Sequence, residues 1–303
     1  MPQPTAPVVA NPTSNIKLQT SNCSASMKLY NDVCMNISRD VTQSYSTSFS
    51  VGIKTLHKRF RFPVYAIYGF VRYADEIVDT FHQHNQKQLL DNFKTETFTA
   101  IANGISTNPI LHSFQTIVNK YKIAHELIDA FFCSMEMDLY KSSHEQKSYY
   151  EYIYGSAEVV GLMCLTVFVE GDKNLFEKLK EPACKLGAAF QKVNFLRDMK
   201  EDMQERGRIY FPDVDFNYFD ASSKQKIETE IEKDFADAYG GILALPKDAR
   251  LGVYVAYRYY KRLLHKIKQT PASEIINQRI RVANNEKATL LFKSFCRFQL
   301  NML

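Results

Sequence analysis

Residues 65–79 read Tyr-Ala-Ile-Tyr-Gly-Phe-Val-Arg-Tyr-Ala-Asp-Glu-Ile-Val-Asp, and this stretch decides the fold class. Its apolar residues recur at intervals of three and four, which is the spacing of one face of an α-helix. Pro63 suits the first turn of such a helix, and the pattern ends near Thr80. The stretch therefore predicts a helix from Pro63 to about Thr80.

The end of this predicted helix carries two aspartates, Asp75 and Asp79, one turn apart on the same face. Extended backward, that face includes Arg72, Tyr68 and Tyr65. Two like charges at this spacing repel each other, and a bound divalent cation would offset the repulsion, because carboxylate oxygens suit magnesium. A single pair of this kind is more often a solvated surface, so its weight depends on a second pair.

The second pair lies in residues 187–202, Gly-Ala-Ala-Phe-Gln-Lys-Val-Asn-Phe-Leu-Arg-Asp-Met-Lys-Glu-Asp. Gln191, Asn194, Asp198 and Asp202 are spaced three, four and four, so they form one helical stripe. Two such pairs, more than one hundred residues apart and each flanked by arginine, favour a metal–phosphate site over two coincidental surfaces.

This constellation suits the ionisation of an allylic diphosphate. Magnesium bridging carboxylates and phosphate oxygens acts as a Lewis acid, and Arg72, Arg197 and Arg208 can add charge-assisted hydrogen bonds. The carbocation that results must be kept from water by apolar and aromatic side chains. Candidates for that lining are Phe49, Tyr65, Tyr68, Tyr152 and Tyr260.

The remainder of the 303-residue chain reads as helix almost throughout, with helices predicted over residues 125–141, 149–170, 175–204, 224–241 and 247–268. Residues 1–25, rich in Pro, Thr, Ser and Asn, are expected to form a disordered extension, and residues 26–303 one all-α domain. The longest apolar run, Val159–Val169, is shorter than the roughly 20 residues that a membrane span needs. No transmembrane helix is therefore expected.

Charge and cysteine usage exclude some functions. The net charge of +5 is weak and dispersed, which argues against a nucleic-acid partner and fits an anionic substrate or membrane surface. None of the six cysteines forms a C-x-x-C pair, so a zinc site is not expected. The cysteine usage favours a reducing compartment. The expected location is the cytoplasm, with peripheral membrane contact left open.

With these blocks in view, the chain resembles the squalene/phytoene synthase family. Residues 66–79 and 191–202 look like its two aspartate-rich motifs, and Gly-Arg-Ile-Tyr-Phe-Pro at 207–212 follows the second. Residues 45–49, Tyr-Ser-Thr-Ser-Phe, are similar to its flap over the diphosphates. Residues 152–161, Tyr-Ile-Tyr-Gly-Ser-Ala-Glu-Val-Val-Gly, look like the helix that lines its prenyl tunnel.

The resemblance implies an all-α isoprenoid synthase fold around a central cavity, with residue roles carried over by motif. Two or three magnesium ions would be held by Asp75, Asp79, Asn194, Asp198 and Asp202. The diphosphates would contact Ser46, Ser48, Arg72, Gln191, Asn194, Arg197, Arg208 and Arg279. The reaction chamber would be lined by Tyr152, Tyr260 and Gly161.

The implied reaction joins two isoprenoid diphosphates head to head through a cyclopropyl diphosphate. Two geranylgeranyl donors would give phytoene without NADPH. A dehydrosqualene or squalene synthase using farnesyl diphosphate is the first alternative, and a non-catalytic assembly factor on the same fold is the second.

Three residues depart from the family pattern: Thr47 replaces a frequent basic residue, and Glu158 and Val159 replace Gly and Thr.

Other features keep a plain structural interpretation beside the functional one. Ser46 and Ser48 are also good helix caps. The Met135–Asp138 stretch reads as core plus an exposed acid, with a role in the cavity as the alternative. The cluster Tyr257–Tyr260 suits core packing or the cavity wall equally.

Overall fold

The computed structural model describes residues 12–140, 145–204, 207–212 and 219–303, with side chains from residue 25 onward. The described residues form α-helices and one π-helical segment and contain no β-strand, which confirms the all-α class. In chain order the elements are α1 Pro12–Tyr45, α2 Thr47–Thr55, α3 Lys58–Asp79, α4 Gln86–Asn103, α5 Pro109–Tyr121, α6 His125–Tyr140, α7 Gln146–Ile153, the π-helical segment Tyr154–Glu158, α8 Val159–Val169, α9 Lys173–Gln204, α10 Ala221–Ala244, α11 Lys247–Gln269, α12 Ala272–Ile275 and α13 Asn284–Gln299.

Helix α1 begins at Pro12, inside the segment for which the sequence predicts disorder, and residues 1–11 lie outside those described. The fixed φ of proline suits a first helical position. Residues 13–45 contain neither Gly nor Pro, so nothing in them interrupts a helix. The disordered extension predicted for residues 1–25 stays a prediction.

Helix α3 begins one turn earlier than predicted. The ring Nδ1 of His57 accepts a hydrogen bond from the backbone N–H of Arg59 (3.5 Å), so His57 caps the helix. The N–H of His57 in turn donates to the carbonyl of Asp248 (2.9 Å), which ties this start to the beginning of α11. Pro63 consequently lies in the second turn of the helix instead of its first.

Two apolar cores support the fold. The first is built mainly from α3, α4, α5, α6 and α8, where the fully buried ring of Phe70 stacks on Phe114 with centroids 3.8 Å apart. The second is built mainly from α9, α10 and α11 around residues such as Leu196 and Phe235. Helix α3 belongs to the first core, whereas α9 contributes Leu179 to the first core and later residues such as Leu196 to the second. The aspartate-bearing parts of the two helices are therefore packed in different cores.

Helices α7 and α8 run on through the π-helical segment as one helical stretch, Gln146–Val169. By length and composition alone this stretch could cross a membrane, and 56% of its most apolar window is buried inside the fold. Such burial is typical of a core helix in a globular domain, and we interpret the stretch in that way. The absence of a membrane span stays a prediction.

A glycine lets α9 approach this stretch closely. A Cβ placed on Gly187 would lie 2.8 Å from the carbonyl oxygen of Ala157 and 3.0 Å from the Cα of Glu158. Real side chains do not occupy such space, so glycine is required at this contact. The contact places the residues after Gly187, which carry the second aspartate motif, beside the π-helical segment.

Candidate active site

A cavity of about 530 Å³ lies between the two cores and is lined by residues of α2, α3, α6, the π-helical segment and α8–α11. Its wall is apolar where early α3 and late α8 contribute Ile67 and Phe168. The wall is polar where the last turns of α3 contribute Asp75 and Asp79. The cavity therefore combines an apolar chamber with a charged region, as an amphiphilic ligand requires.

The cavity collects nearly all of the residues that the sequence singled out. The residues that line it are Ser46, Ser48, Phe49, Tyr68, Arg72, Asp75, Asp79, Tyr152, Gly161, Gln191, Asn194, Arg197, Asp198, Asp202, Arg208, Tyr260 and Arg279. Residues drawn from chain positions 46 to 279 thus meet at one place.

Tyr65 is the exception, and its predicted place in the cavity wall is wrong. Tyr65 is buried in the first core, with its ring 6.4 Å from that of Phe62. An α-helix turns 100° per residue, so a step of three residues from Tyr68 rotates Tyr65 by 60° away from it. Val64 lines the cavity at this level of α3 instead.

Arg208 holds the end of the first aspartate motif. Its guanidinium donates to Asp79 Oδ1 (2.6 Å) and to the backbone carbonyl of Val78 (3.0 Å). The backbone N–H of Arg208 donates to the backbone carbonyl of Asp202 (2.8 Å). One residue therefore connects the last turn of α3 with the last turn of α9.

The second motif is held in the same manner. Arg197 Nε donates to Asp198 Oδ1 (2.8 Å), and Arg279 Nε lies 2.9 Å from the same oxygen. Arg279 also donates to both carboxylate oxygens of Glu201 (3.0 and 2.9 Å). The charges of the second motif are thus partly balanced by arginines that the resemblance assigns to diphosphate.

Asp138, on α6, is a buried carboxylate at the base of this network. It accepts hydrogen bonds from the hydroxyls of Tyr152 (2.7 Å) and Tyr210 (3.3 Å), and Arg208 Nη1 lies 3.8 Å away. Burial raises the pKa of Asp138 to about 7, against the lowering effects of Arg208 and Tyr152. For the Met135–Asp138 stretch, the structure supports the alternative of a role in the cavity, and the acid that faces outward is the half-buried Glu136.

Aromatic rings form the wall beside the second motif. Tyr260 stacks on Phe190 with centroids 4.1 Å apart, and its hydroxyl donates to Asn194 Oδ1 (3.1 Å). Phe49 lies 5.7 Å from Tyr68 and 6.0 Å from Tyr260. Burial raises the pKa of both tyrosines to about 12, so they are neutral phenols near pH 7. Neutral aromatic faces of this kind attract cationic charge.

Several polar atoms of the cavity fit an anionic ligand. Arg72 pairs with Glu76 and lies over the Tyr45 ring (4.3 Å), yet its buried Nε has no hydrogen-bond partner among the described residues. The same holds for Ser156 Oγ in the π-helical segment. The Ser46 side-chain oxygen accepts from Phe49 N (3.2 Å) as the cap of α2, so Ser46 is both a cap and a cavity residue.

The carboxylates suit a metal that arrives with its ligand. Across the described ranges, no three His, Cys, Asp or Glu side chains converge as a ready-made metal cage. Magnesium commonly takes only one or two protein carboxylates and completes its shell with substrate phosphates and water. Two aspartate pairs beside an arginine with an unpaired Nε fit that arrangement.

Glu158 does not belong to the cavity wall. It hydrogen-bonds with Cys184 on α9, and burial raises the pKa of its carboxyl against the lowering effects of that hydrogen bond and of nearby Lys185 and Lys192. Lys192 itself donates to Asp234 Oδ2 on α10 (2.6 Å). The departure from the family pattern at Glu158 therefore lies on the α9–α10 side of the π-helical segment.

The helical architecture around a central cavity is that of the isoprenoid synthase fold. A solved structure of a dehydrosqualene synthase in complex with ligand superposes with a TM-score of 0.76 at 21% identity, covering 89% of this chain and 98% of that one. The sequence matches the squalene/phytoene synthase family over residues 42–286, and the chain belongs to that family of prenyltransferases.

Among curated relatives, a phytoene synthase of Arthrospira platensis is 28% identical, with 84% of this chain and 89% of that protein aligned. A 15-cis-phytoene synthase of Synechocystis sp. is 27% identical over 97% of this chain and 94% of that protein.

Proposed function

We propose that this protein condenses two molecules of geranylgeranyl diphosphate head to head, through a cyclopropyl diphosphate, to give phytoene. The observation that carries the proposal is the meeting of both aspartate pairs, six arginine and amide side chains and an aromatic wall in one cavity. The reaction requires magnesium, two or three ions with the diphosphates, and no NADPH.

The residues of the chain divide the work by chemistry. Asp75, Asp79, Asn194, Asp198 and Asp202 would hold the magnesium ions. Magnesium, when bound, neutralises the diphosphate and so favours cleavage of the allylic C–O bond. Arg72, Arg197 and Arg208 bind phosphate oxygens through charge-assisted hydrogen bonds. Phe49, Tyr68 and Tyr260 exclude water from the carbocation and stabilise it through their ring faces.

The names of the relatives bear on the donor. Both of the relatives described above are phytoene synthases, which supports the geranylgeranyl donor. The alternative is a dehydrosqualene or squalene synthase that uses farnesyl diphosphate, which the structural likeness to a dehydrosqualene synthase favours. A non-catalytic assembly factor would have no need of four aspartates facing one cavity, so we rank it last.

A product assay tests the proposal. The purified chain, with magnesium and without NADPH, is given geranylgeranyl diphosphate and, separately, farnesyl diphosphate. Phytoene from the longer donor is the expected result. Product from the shorter donor alone would keep the chemistry and overturn the donor assignment. A folded chain that makes no product from either donor, with lipid or detergent present, would overturn the catalytic proposal.

We also propose that the protein works in the cytoplasm and contacts membranes only peripherally, where its apolar product would partition. Cell fractionation tests this: the protein should leave the membrane fraction on washing with high salt. Retention until detergent is added would argue for an integral membrane segment.

A further inference from the structure

A second concavity, of about 430 Å³, lies between α11 and α13. We call it the α11–α13 groove; its lining residues are Tyr239, Tyr254, Tyr257, Arg258, Lys261, Arg262, His265, Leu290 and Arg297. At 100° per residue, the α11 residues of the groove lie on the opposite side of the helix from Gly252, Ala256 and Tyr260, which line the cavity. The groove is thus a separate site that shares one helix with the cavity.

The groove carries an excess of positive charge. Its lining contains four Lys or Arg side chains and one histidine, and no acid. Arg262 is paired with Glu286 (2.7 Å). For Arg258, Lys261 and Arg297, no carboxylate of the described residues lies within ion-pair distance. In the cavity, by contrast, Arg208 is paired with Asp79 and Arg279 with Asp198.

Two guanidinium groups of the groove converge on one phenol. Arg258 Nη1 lies 3.0 Å and Arg297 Nη1 3.4 Å from the hydroxyl oxygen of Tyr254, a residue only 1% exposed. Like charges held this close repel each other, and a neutral oxygen offsets little of that repulsion. The pKa of Tyr254 is lowered although burial acts to raise it, because both arginines favour the phenolate. The local potential is therefore strongly positive.

Aromatic rings fix a third cation beside this pair. Lys261 Nζ lies 5.9 Å from the centre of the Tyr257 ring and 6.0 Å from that of Phe235. Ring faces hold a cation without neutralising its charge. Three positively charged groups from two helices are consequently presented to one concavity with donors to spare, since each guanidinium carries five N–H groups.

We propose that the α11–α13 groove binds a phosphate-bearing anion, either a soluble phosphate or diphosphate or the headgroup of an anionic lipid. Arg258 and Arg297 donate to its oxygens as a fork, and Lys261 adds charge. This site goes beyond the proposed catalytic function and does not depend on it.

The first arm of the test uses inorganic diphosphate as the probe. The full chain is titrated calorimetrically in buffer with EDTA and no magnesium, which disfavours binding beside the cavity aspartates. The double variant R258Q/R297Q should lose one binding site or bind it about tenfold more weakly or worse, because each lost hydrogen bond to a charged group is substantial. The control R39Q/K178Q removes two exposed charges outside the groove and should bind like the wild type.

The second arm uses vesicles of phosphatidylcholine with or without phosphatidylglycerol. Flotation that requires phosphatidylglycerol and fails for R258Q/R297Q assigns the groove to lipid headgroups. Binding of free diphosphate alone assigns it to a soluble anion. Either result supports the site. If R258Q/R297Q and R39Q/K178Q behave alike in both arms, the site does not exist.

Loss of folding must be separated from loss of binding. Circular dichroism and the unfolding temperature report the fold of R258Q/R297Q. The single variant K261Q provides a milder second probe, because the contacts of Lys261 are with aromatic rings. The substitution should weaken binding of the anion without affecting Tyr254. Wild-type binding by a folded K261Q together with an unfolded double variant would count against the proposal.

Discussion

One aspartate of each pair is joined to an arginine from another part of the chain. Asp79 meets Arg208, 129 residues away, and Asp198 meets Arg279 across 81 residues. The sequence predicted the aspartates, because their spacing is local. It assigned the arginines to diphosphate and did not predict these ion pairs, since partners so distant in sequence are chosen by the tertiary fold.

Removing one aspartate from either motif should abolish turnover and leave the fold intact. We expect Asp75→Ala and Asp198→Ala each to lower product formation with magnesium by at least about a hundredfold, the scale of losing one preorganised charge-stabilising group. Product analysis and circular dichroism measure the two effects.

The matched control is Asp91→Ala, an exposed carboxylate on α4 that pairs with Lys87 outside the cavity. It should keep wild-type turnover. Near-normal turnover by Asp75→Ala or Asp198→Ala would remove that aspartate from the metal-binding set.

The buried carboxyl of Asp138 should make stability depend on pH. Its folded pKa of about 7 lies above the ordinary value of 3.8, so between these values the folded chain holds a proton that the unfolded chain releases. The contribution of this group is therefore complete below about pH 4 and is lost as pH rises through 7. Denaturant unfolding of wild type and Asp138→Asn between pH 4 and 8 measures it.

The difference in unfolding free energy between the two proteins should shrink or change sign steadily across that interval, because asparagine cannot titrate. Arg208, Asp79, Tyr152 and Tyr210 face the carboxyl and are common to both proteins, so their contributions to the difference largely cancel. Parallel stability curves would show that Asp138 titrates in its ordinary range.

Among the elements, the long helices were predicted to within a few residues. The predicted segments 175–204 and 247–268 correspond closely to α9 and α11. The errors arose where a tertiary contact decides: His57 starts α3 early through its contact with Asp248, and a rotation of 60° removes Tyr65 from the cavity. Asp138 is one of four acidic residues in α6, and their spacing does not single it out, so its partners were beyond prediction.

The face of α3 away from the cavity should determine its stability. Phe70 is fully buried among the rings of Phe93, Phe114, Phe131 and Phe132. We expect Phe70→Ala to lower the free energy of unfolding by about 3–5 kcal/mol, through lost burial and the cavity left behind. Denaturant unfolding measures it.

Phe292→Ala on α13 is the matched control, since that ring is 69% exposed and its removal should change stability by no more than about 0.5 kcal/mol. Equal effects of the two substitutions would show that the first core does not anchor α3.

At the scale of the molecule, the cavity lies between two cores, one of which packs the aspartate-bearing end of α3 and the other that of α9. Helical periodicity predicted both helices but not their juxtaposition, which came only from the family resemblance. Periodicity is silent on which helices share a cavity, because that depends on contacts such as the close approach at Gly187.

The fold should not depend on metal, because arginines already balance Asp79 and Asp198. We expect EDTA to leave the unfolding temperature unchanged. Magnesium with diphosphate, at a hundredfold excess over their dissociation constant, should raise the free energy of unfolding by about 2.7 kcal/mol by mass action.

Sodium chloride at matched ionic strength is the control for that measurement and should not reproduce the rise. A large drop in unfolding temperature on chelation would contradict this independence from metal.

The arginine–aspartate pairs make the cavity behave as an ion exchanger. A magnesium ion that bound Asp79 Oδ1 or Asp198 would compete with a guanidinium for the carboxylate, and a displaced guanidinium would need a new anion. Magnesium and diphosphate should therefore bind best together. Either one supplied alone meets aspartates and arginines that are already paired with each other. The apparent affinity of the cavity for magnesium should accordingly depend on the anion that accompanies the metal.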